Sequence, residues 1–392
     1  MGTPEDLRAG NRARIVDALR RHGAVSRSEL ARLTGLSRST VISLAGELQA
    51  HGLVVEQRQG AAERRGRGRP GVRLRLDPSA GVALGLDAGP HRVRVAVADL
   101  SSAVLAERSV ALEPGADALE TAAELAWAAL ADARLDRDHV LGACLALAAP
   151  VEHATGAVGA PLTPPGWPGP RPGEGLGARL GVAVEVDNDA NLEALAEVTL
   201  GAARGCQDVV YVKVADGIGA GLVLGGRLYR GASGLAGELG HVQVVDDGDL
   251  CRCGNRGCLG TVAASGPLVR ALGRLHGPDL TVGALLEMVA AGDPGAQRVV
   301  ADGGRAIGRV LAHLCDHVNP EAIVVGGELA AAEPLLAGIR ESVDRHALPT
   351  AAEAVRVTAA SLGDRAGVLG AVISVVGDTE RVASARLAAL GA

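Results

Sequence analysis

The first fifty residues carry apolar positions at helical spacing, and this pattern predicts three short helices. The first covers residues 11–21. Ser26 and Glu29 form a capping box that begins the second helix, which ends at Gly35. Ser37 begins the third helix, and its inward-facing positions are Val41, Leu44, Ala45 and Leu48. Two helices joined by a tight turn make a helix-turn-helix.

Two strand-like segments follow, residues 53–56 and 72–76, and they flank a stretch rich in arginine and glycine. A hairpin directly after a helix-turn-helix is typical of a winged helix, so we expect a DNA-binding domain over residues 1–78. Arginine on a flexible tip can enter a minor groove or pair with phosphates. The arginines of this tip are Arg64, Arg65, Arg67 and Arg69. Taken alone, the same run could be a solvated linker.

The body, residues 79–392, alternates strand-like and helix-like segments, which predicts an α/β fold. Residues 81–99 predict two strands joined by a glycine turn, and a similar unit returns at residues 209–228. This repetition indicates an internal duplication. Periodicity alone supports the α/β class and nothing finer.

Composition narrows the class of protein. With 48% hydrophobic residues, general disorder is excluded, and the absence of phenylalanine predicts an aliphatic core. Residues 1–10 lack the apolar segment of a signal peptide. The longest apolar runs, about 12 residues, are too short to span a bilayer. We therefore expect a cytoplasmic protein with no membrane partner.

Charge is distributed unevenly along the chain. Residues 1–80 contain 15 arginines and 8 acidic residues, whereas the remainder contains 24 basic and 37 acidic residues. A basic head on an acidic body predicts that the head binds double-stranded DNA. A helix in the major groove reads base edges with the exposed residues at its start. Those residues are Arg38, Ser39, Thr40 and Ser43. The alternative is a solvated face in a small helical bundle.

Three of the six cysteines, Cys251, Cys253 and Cys258, fall within eight residues, and His241 lies ten residues before the first of them. Three thiolates and one imidazole form a closed tetrahedral set of the kind that holds structural Zn²⁺. Two glycines between the cysteines allow the chain to turn tightly. A reduced cysteine cluster is the alternative, and a disulfide is disfavoured because nothing indicates an oxidising compartment.

The same stretch carries a longer pattern. Glu-x-Gly-His at residues 238–241 is followed by Cys-x-Cys-Gly-x-x-Gly-Cys at residues 251–258. Together with the upstream pair Asn188-Asp189, these motifs resemble the ROK family of repressors, open reading frames and sugar kinases. The resemblance extends over most of residues 80–377. It departs at one position, because the family pattern continues as Cys-x-Glu and Gly260 stands here.

The resemblance implies an actin/hexokinase-like, or ribonuclease-H-like, body of two α/β lobes with a cleft between them. In the kinases of this superfamily, two glycine turns hold ATP phosphates through backbone N–H groups. The first turn here contains Pro90, which has no N–H, and His91 in place of a threonine. The second contains Asp216, whose carboxylate would repel a phosphate. We therefore expect no ATP-dependent catalysis.

The resemblance also implies a sugar site formed by Asn188, Asp189, Glu238 and His241. Asp189 matches the general base of the kinases, and without a phosphate cradle it would only accept a hydrogen bond from the sugar. His241 would place one ring nitrogen on zinc and the other towards the sugar. Asn188 and Asp189 could instead cap a helix. Because Gly260 replaces a glutamate that contacts the sugar in the family, we expect the free energy of sugar binding to be weaker by about 1–3 kcal/mol for each missing hydrogen-bond partner.

These observations favour a transcriptional regulator of sugar-related genes. We expect a repressor, because repression is the commoner role among the regulators of the family that the chain resembles. A bound sugar would close the two lobes and change the spacing of paired heads on two DNA half-sites. Such a mechanism requires a homodimer or homotetramer. One alternative is an ATP-dependent sugar kinase with an appended DNA-binding head. The other is a DNA-binding protein with a vestigial sugar pocket.

Overall fold

The structure, a computed structural model, describes residues 4–58, 72–113, 115–159, 169–378 and 382. The chain divides into two compact units. Unit 1 comprises residues 1–146, 172–185 and 371–392, and unit 2 comprises residues 147–171 and 186–370. Within the described ranges, no helix is both long and apolar enough to cross a membrane.

Unit 1 begins with a winged helix. Its elements are α1 Pro4–His22, β1 Val25–Ser26, α2 Arg27–Thr34, α3 Arg38–Ala50, β2 Val54–Arg58 and β3 Val72–Leu76. Strand β3 pairs antiparallel with both β1 and β2. Ser26 and Glu29 form the capping box that the sequence predicts. Gly35 ends α2 in the left-handed region, with φ 67°, which glycine adopts without strain. The predicted winged helix is confirmed.

The remainder of unit 1 is a five-stranded sheet with helices. Its strands are β4 Val82–Ala88, β5 Arg92–Asp99, β6 Val104–Ala111, β7 Val140–Leu147 and β10 Val184–Asn188, and its helices are α4 Ala118–Asp132 and α5 Pro172–Leu180. The strand order is β10-β7-β4-β5-β6. Helix α4 packs on β4, β5 and β6. The last helix, α13 Ala366–Gly377, spans the division between the units at residue 370.

Unit 2 contains a second five-stranded sheet. Its strands are β11 Val209–Val214, β12 Ile218–Leu224, β13 Arg227–Tyr229, β14 Ala322–Gly326 and β15 Arg356–Ala359, and a small hairpin is formed by β8 Val151–Glu152 and β9 Ala157–Val158. Its helices are α6 Asp189–Thr199, α7 Leu259–Ala263, α8 Ser265–His276, α9 Val282–Ala290, α10 Pro294–Val318, α11 Glu333–His346 and α12 Pro349–Ala354. The core is aliphatic, as composition predicts.

The two large sheets share one plan. In unit 1, β4, β5 and β6 form consecutive antiparallel pairs, and β7 and β10 extend the sheet beyond β4. In unit 2, β11, β12 and β13 do the same, and β14 and β15 extend the sheet beyond β11. The same strand order in both units accounts for the internal duplication that the sequence predicts.

Helix α6 lies unusually close to the sheet of unit 2, against β11 and β12. Gly221 of β12 makes this possible, because a Cβ there would lie 2.3 Å from the carbonyl oxygen of Ala190. Glycine within a strand often marks such a close backbone approach. The acidic side chains of Asp189 and Glu193 on α6 therefore reach the side chain of Lys213 on β11.

Candidate functional site

Helix α3 exposes the polar side chains at its start. Arg38, Ser39 and Ser43 are exposed, as the sequence predicts for residues that read DNA. Ile42 lies on the same face with 58% of its surface exposed. The sequence analysis missed Ile42 because an apolar residue in an amphipathic helix is ordinarily assigned to the core. A signal was available, since Ile42 follows Arg38 by four positions and therefore shares its face.

Thr40 differs from the other predicted DNA contacts on α3. It is half-buried, and its hydroxyl lies 2.7 Å from that of Ser37. Ser37 caps α3 and accepts the Thr40 N–H at 3.1 Å. Thr40 thus takes part in the helix cap, and its DNA contact stays a prediction. The predicted wing-tip residues Arg64, Arg65, Arg67 and Arg69 lie outside the described residues.

Four side chains of unit 2 converge on one point. The ligand atoms of His241, Cys251, Cys253 and Cys258 all lie within 4.8 Å of one another. Sγ of Cys253 lies 3.7 Å from Sγ of Cys258, and Sγ of Cys251 lies 3.4 Å from Nδ1 of His241. A tetrahedral zinc ion, with bonds of about 2.3 Å to sulfur and about 2.0 Å to nitrogen, places such pairs about 3.5–3.8 Å apart. The cluster can hold a metal ion, and its spacing fits zinc.

The backbone of this loop explains why the sulfurs face one another. Gly254 and Gly257 have φ values of 94° and 63°, so both adopt the left-handed region, in line with the tight turns that the sequence predicts. A Cβ on Gly257 would lie 1.6 Å from the carbonyl oxygen of Val245. The Cys251 N–H donates to the carbonyl of Asn255 at 2.7 Å and closes the turn. Only glycine fits at position 257.

The thiols of the cluster are also suited to a cation. Burial, together with the hydrogen bonds that this thiol makes with Cys253 and Cys251, raises the pKa of the Cys258 thiol to about 12. A buried thiol of this kind becomes a thiolate when a divalent cation coordinates it. The chemistry of the donor set therefore fits a resident metal ion.

His241 faces two different groups. Its Nδ1 points to Cys251, and its Nε2 lies 3.7 Å from Oε2 of Glu238. Burial, with a smaller contribution from Arg252, lowers the pKa of His241. A lowered pKa favours the neutral imidazole, which is the form that binds metals. This geometry suits the two tasks predicted for His241, which remain predictions.

Asn188 and Asp189 begin helix α6. The side-chain oxygen of Asn188 accepts the N–H groups of Ala190 and Asn191, and its amide nitrogen donates to the carbonyl of Ala149 at 3.1 Å. Asn188 is therefore the N-cap of α6, and its predicted sugar contact is untested. Asp189 is buried, and its Oδ1 accepts the Ala190 N–H at 2.8 Å.

Glu238 connects Asp189 and His241. Burial raises the pKa of Glu238 to about 7, and the nearby carboxylate of Asp189 adds to the rise. Arg252 has the opposite, smaller effect on this pKa. Three of the four predicted sugar contacts thus interact within unit 2. Carboxylates accept hydrogen bonds from hydroxyls, whereas a neutral imidazole whose Nδ1 faces the metal cluster presents its Nε2–H as a donor.

The structure adds a charged residue that the sequence analysis did not assign to the site. Lys213 of β11 donates to Oδ2 of Asp189 at 2.7 Å and to Oε1 of Glu193 at 2.6 Å. Tyr211, two positions earlier on the same strand, donates its hydroxyl to Oε2 of Glu193 at 2.7 Å. One signal in the sequence was available, since Lys213 is the only lysine of the chain.

Comparison with known families decides the identity of the body. The model of the ROK family matches residues 83–377, which is most of the chain. The chain belongs to the ROK family. The model of the MarR family matches residues 9–65, within the head.

Relatives of this ROK protein match it over nearly its whole length. The putative xylose repressor of Caldicellulosiruptor sp. (strain Rt8B.4) is 29% identical, over 96% of this chain and 98% of the relative. The DNA-binding transcriptional repressor Mlc of Escherichia coli (strain K12) is also 29% identical, over 93% of this chain and 92% of Mlc. The chain is thus similar to proteins named as repressors.

Solved structures separate two groups of ROK proteins. A ROK family transcriptional regulator, a homolog of the E. coli MLC protein, superposes with a TM-score of 0.80 at 25% identity, over 96% of this chain and 99% of that one. The ROK hexokinase of Thermus thermophilus superposes with a TM-score of 0.62 at 33% identity, over 75% of this chain and 97% of that one. The regulator matches head and body, whereas the hexokinase leaves a quarter of this chain unmatched.

The two glycine turns of the ROK body lie between strands, as the sequence predicts. In the first turn, the Gly89 N–H donates to the carbonyl of Arg92 at 3.0 Å, across Pro90 and His91. In the second, Ala215 N–H donates to the carbonyl of Gly217 at 3.0 Å, around the exposed Asp216. The weak phosphate binding expected of these turns stays a prediction.

Gly260 stands where the ROK pattern has glutamate. It lies in α7, and a Cβ at this position would be 3.2 Å from the carbonyl oxygen of Gly240, which precedes His241. A Cβ at position 260 would therefore require a shift of a few tenths of an ångström in its neighbour.

Proposed function

We propose that the protein is a transcriptional regulator, a repressor of sugar-related genes, whose head binds double-stranded DNA and whose body senses a sugar. The observation that carries this proposal is the extent of the similarity. Proteins named as repressors match both the winged helix and the ROK body, whereas the hexokinase matches three quarters of the chain. A winged helix has no evident task in a metabolic kinase.

The DNA side of the proposal rests on α3. A recognition helix in the major groove contacts base edges with the exposed residues near its N-terminus. Arg38, Ser39 and Ser43 are exposed there and supply hydrogen-bond donors and acceptors. The head carries a net positive charge, which favours contact with phosphates. The wing arginines of the sequence analysis would add such contacts.

The sugar side of the proposal rests on the polar group formed by Asp189, Glu238 and His241, with Asn188 at the head of α6. These groups can accept and donate hydrogen bonds to the hydroxyls of a monosaccharide. The absence of glutamate at position 260 would weaken or change the sugar preference. Pro90, His91 and Asp216 disfavour nucleotide binding, so the proposed site binds without phosphoryl transfer.

We further propose that the metal is Zn²⁺. A bound zinc ion would offset two of the three negative charges on the thiolates of Cys251, Cys253 and Cys258 and would fix the tautomer of His241. The chain itself would hold the loop in shape through the left-handed glycines Gly254 and Gly257. Glu238 would face Nε2 of His241, the ring nitrogen that does not bind the metal. In this way a structural metal would orient one wall of the sugar site.

The proposed mechanism is a difference in sugar affinity between two arrangements of a homodimer or homotetramer. A sugar that favours one arrangement shifts the population towards it. Two heads read half-sites about 34 Å apart, so an altered spacing changes DNA affinity. We expect a cytoplasmic protein that acts without a membrane partner.

Fluorescence anisotropy on the DNA upstream of the protein's own gene tests the main proposal. Binding should be tight, should weaken steeply between 50 and 200 mM salt, by about a thousandfold for six phosphate contacts, and should change with one monosaccharide of a panel. Binding that ignores every sugar would support the vestigial pocket. Arg38→Ala should weaken operator binding and relax its specificity, whereas Arg274→Ala, which replaces an exposed arginine of unit 2, should leave both intact.

Metal analysis tests the zinc proposal. The purified protein should carry about one zinc per chain, since four protein ligands complete a structural site. Cys253→Ser should lose the metal. Cys206→Ser, which removes a free thiol outside the cluster, is the control. Retained zinc in Cys253→Ser would mean that the ligands are assigned wrongly.

A sugar kinase is the second candidate, and the 33% identity to a ROK hexokinase favours it. An assay of ADP release over hexoses and amino sugars separates the two functions. Sustained turnover that Asp189→Asn abolishes would establish an enzyme. Sugar binding without ADP release would support the regulator.

A further inference from the structure

An ammonium group lies on the carboxylate that matches the kinase general base. Lys213 Nζ is 2.7 Å from Oδ2 of Asp189, and Oδ1 of the same side chain accepts the N–H of Ala190. Both oxygens of Asp189 thus have a partner within the protein. The second carboxylate on the ammonium, Glu193, is bound in the same way by Lys213 and Tyr211.

The arrangement is built into the fold. Asp189 and Glu193 are one helical turn apart on α6, and Tyr211 and Lys213 lie on the same face of β11, two positions apart. Gly221 lets the helix approach the sheet closely. The side chains of both acids are 8% exposed, and that of Lys213 is 24% exposed. A compact ammonium can bridge two carboxylates, whereas the planar guanidinium of arginine suits one carboxylate bidentately.

This contact changes what a carboxylate can do. A general base must take a proton from a hydroxyl within hydrogen-bonding reach. Here the ammonium of Lys213 holds one oxygen of the Asp189 carboxylate and the Ala190 N–H holds the other, so the orientation of the carboxylate is fixed. It still accepts a hydrogen bond from a sugar hydroxyl.

We propose that Lys213 is a positioning residue that holds the carboxylate of Asp189 in place, so that the sugar site offers its ligand an oriented acceptor. The inference rests on the proposed sugar site and says what fixes one of its carboxylates. It also assigns a role to the only lysine in a chain that otherwise uses arginine.

Other ionisable groups surround this pair and bear on any titration. Glu197, one turn beyond Glu193 on α6, interacts with Tyr211. Glu238 interacts with Asp189 from the loop before the metal cluster. Together with the two bridged carboxylates, these groups make the surroundings of Lys213 strongly acidic. Removal of the positive charge of Lys213 should therefore leave the remaining carboxylates to repel one another.

Thermal unfolding as a function of pH tests the proposal without sugar or DNA, so its failure is distinguishable from failure of the proposed function. In Lys213→Met, two buried like charges face each other, and one carboxylate takes up a proton in the neutral range. That protonated form is lost as the pH rises, so the deficit in Tm should grow from pH 5.5 to pH 8. We expect a deficit of about 6–15 °C at pH 8 and less than half of it at pH 5.5.

Second substitutions identify the partner of Lys213. Adding Asp189→Asn to Lys213→Met should flatten the pH profile, because one like charge is removed. Lys213→Arg keeps the charge and should keep a flat profile even if its bulk lowers Tm. A deficit equal at all pH values, or one that Glu193→Gln flattens and Asp189→Asn does not, would overturn the proposal, because Lys213 would then serve packing or Glu193 alone.

The single lysine offers a second measurement on the folded protein. An amine-reactive acylating reagent has two amines to modify in this chain, Lys213 and the N-terminal amine, which serves as the internal reference. Acylation requires the neutral amine, and Asp189 stabilises the charged one. We expect Lys213 in Asp189→Asn to react about 3–10 times faster at pH 8 than in the original protein. Equal rates would overturn the proposal even if Lys213→Met does not fold.

Discussion

Helices α3 and α6 use polar side chains in opposite ways. Each begins at a side-chain N-cap, Ser37 for α3 and Asn188 for α6. Helix α3 buries Val41, Leu44, Ala45 and Leu48 and turns most of its polar residues to solvent. Helix α6 instead buries a row of acids at four-residue spacing, Asp189, Glu193 and Glu197. Exposed polar groups are available to a partner and contribute little to folding, whereas buried ones must be satisfied within the protein.

The comparison predicts that substitutions on α6 act on stability, whereas substitutions on α3 act on DNA affinity. Glu197 gives the largest expected effect. It is fully buried, and its carboxylate accepts the N–H groups of Ala202, Ser361 and Leu362. Glu197→Leu leaves these donors without a partner, which should cost about 3–5 kcal/mol. The Tm should fall by about 6–20 °C, measured by calorimetry or circular dichroism.

Glu124→Leu is the matched control for Glu197→Leu. Glu124 is an exposed glutamate on α4, so the same chemical change there should leave Tm within about 2 °C. A Glu197 variant as stable as its control would show that buried acids of α6 are not needed for folding, and the contrast between the two helices would fail.

Arg38→Ala should show the reverse behaviour. Arg38 is exposed at the start of α3, and an arginine that reads a base edge contributes about 1–3 kcal/mol, or about 5–150-fold in affinity. We expect this loss in anisotropy titrations with the operator at fixed salt, with Tm unchanged. The control Arg274→Ala removes the same charge from unit 2. Equal weakening by both variants would assign the effect to net charge.

The sequence could predict the features that local spacing encodes. The capping box at Ser26, the turn at Gly35 and the cysteine cluster each depend on residues within about ten positions of one another, and the structure has all three. The repeated strand–turn–strand pattern predicted the antiparallel pairs β4–β5 and β11–β12 but not the order of the strands in the two sheets. The resemblance to the ROK family supplied the two-lobed fold, which periodicity could not.

Two contributions to the site were not predicted, for different physical reasons. Lys213 and Asp189 are 24 residues apart, and they meet only because Gly221 lets α6 lie close to the sheet. Spacing along the chain does not encode such a contact. Ile42 was missed because sequence patterns assign apolar residues to the core, whereas the three-dimensional packing of the head leaves it exposed.

Ile42 tests whether exposed apolar side chains belong to the DNA-reading face. An aliphatic side chain in the major groove contacts the C5-methyl group of thymine. We expect Ile42→Ala to weaken operator binding by about 1 kcal/mol, or about fivefold, without loss of Tm. Replacement of each operator thymine by uracil removes one methyl group at a time. At one of these positions, the uracil should weaken operator binding by the original protein by a similar factor.

The decisive outcome for Ile42 is non-additivity. The uracil that weakens operator binding by the original protein should not weaken binding by Ile42→Ala any further, because the contact with the methyl group is already absent in that variant. Fully additive losses at every thymine would mean that Ile42 contacts no methyl group. Its exposure would then be incidental to DNA binding.

Thr40 gives the smallest expected effect and marks the limit of the comparison. It lies on α3, yet it is half-buried and its hydroxyl bonds to Ser37, so it resembles the internal polar residues of α6 more than its neighbours. Thr40→Val keeps the shape and removes the hydroxyl, while Ser37 still accepts the backbone N–H of residue 40. We expect a loss of about 0.5 kcal/mol in stability. Operator affinity should change less than about twofold, since the cap geometry is retained. A tenfold loss of affinity with unchanged Tm would instead place the Thr40 hydroxyl on a base edge, and exposure in the free protein would then be a poor guide to which residues of α3 contact DNA.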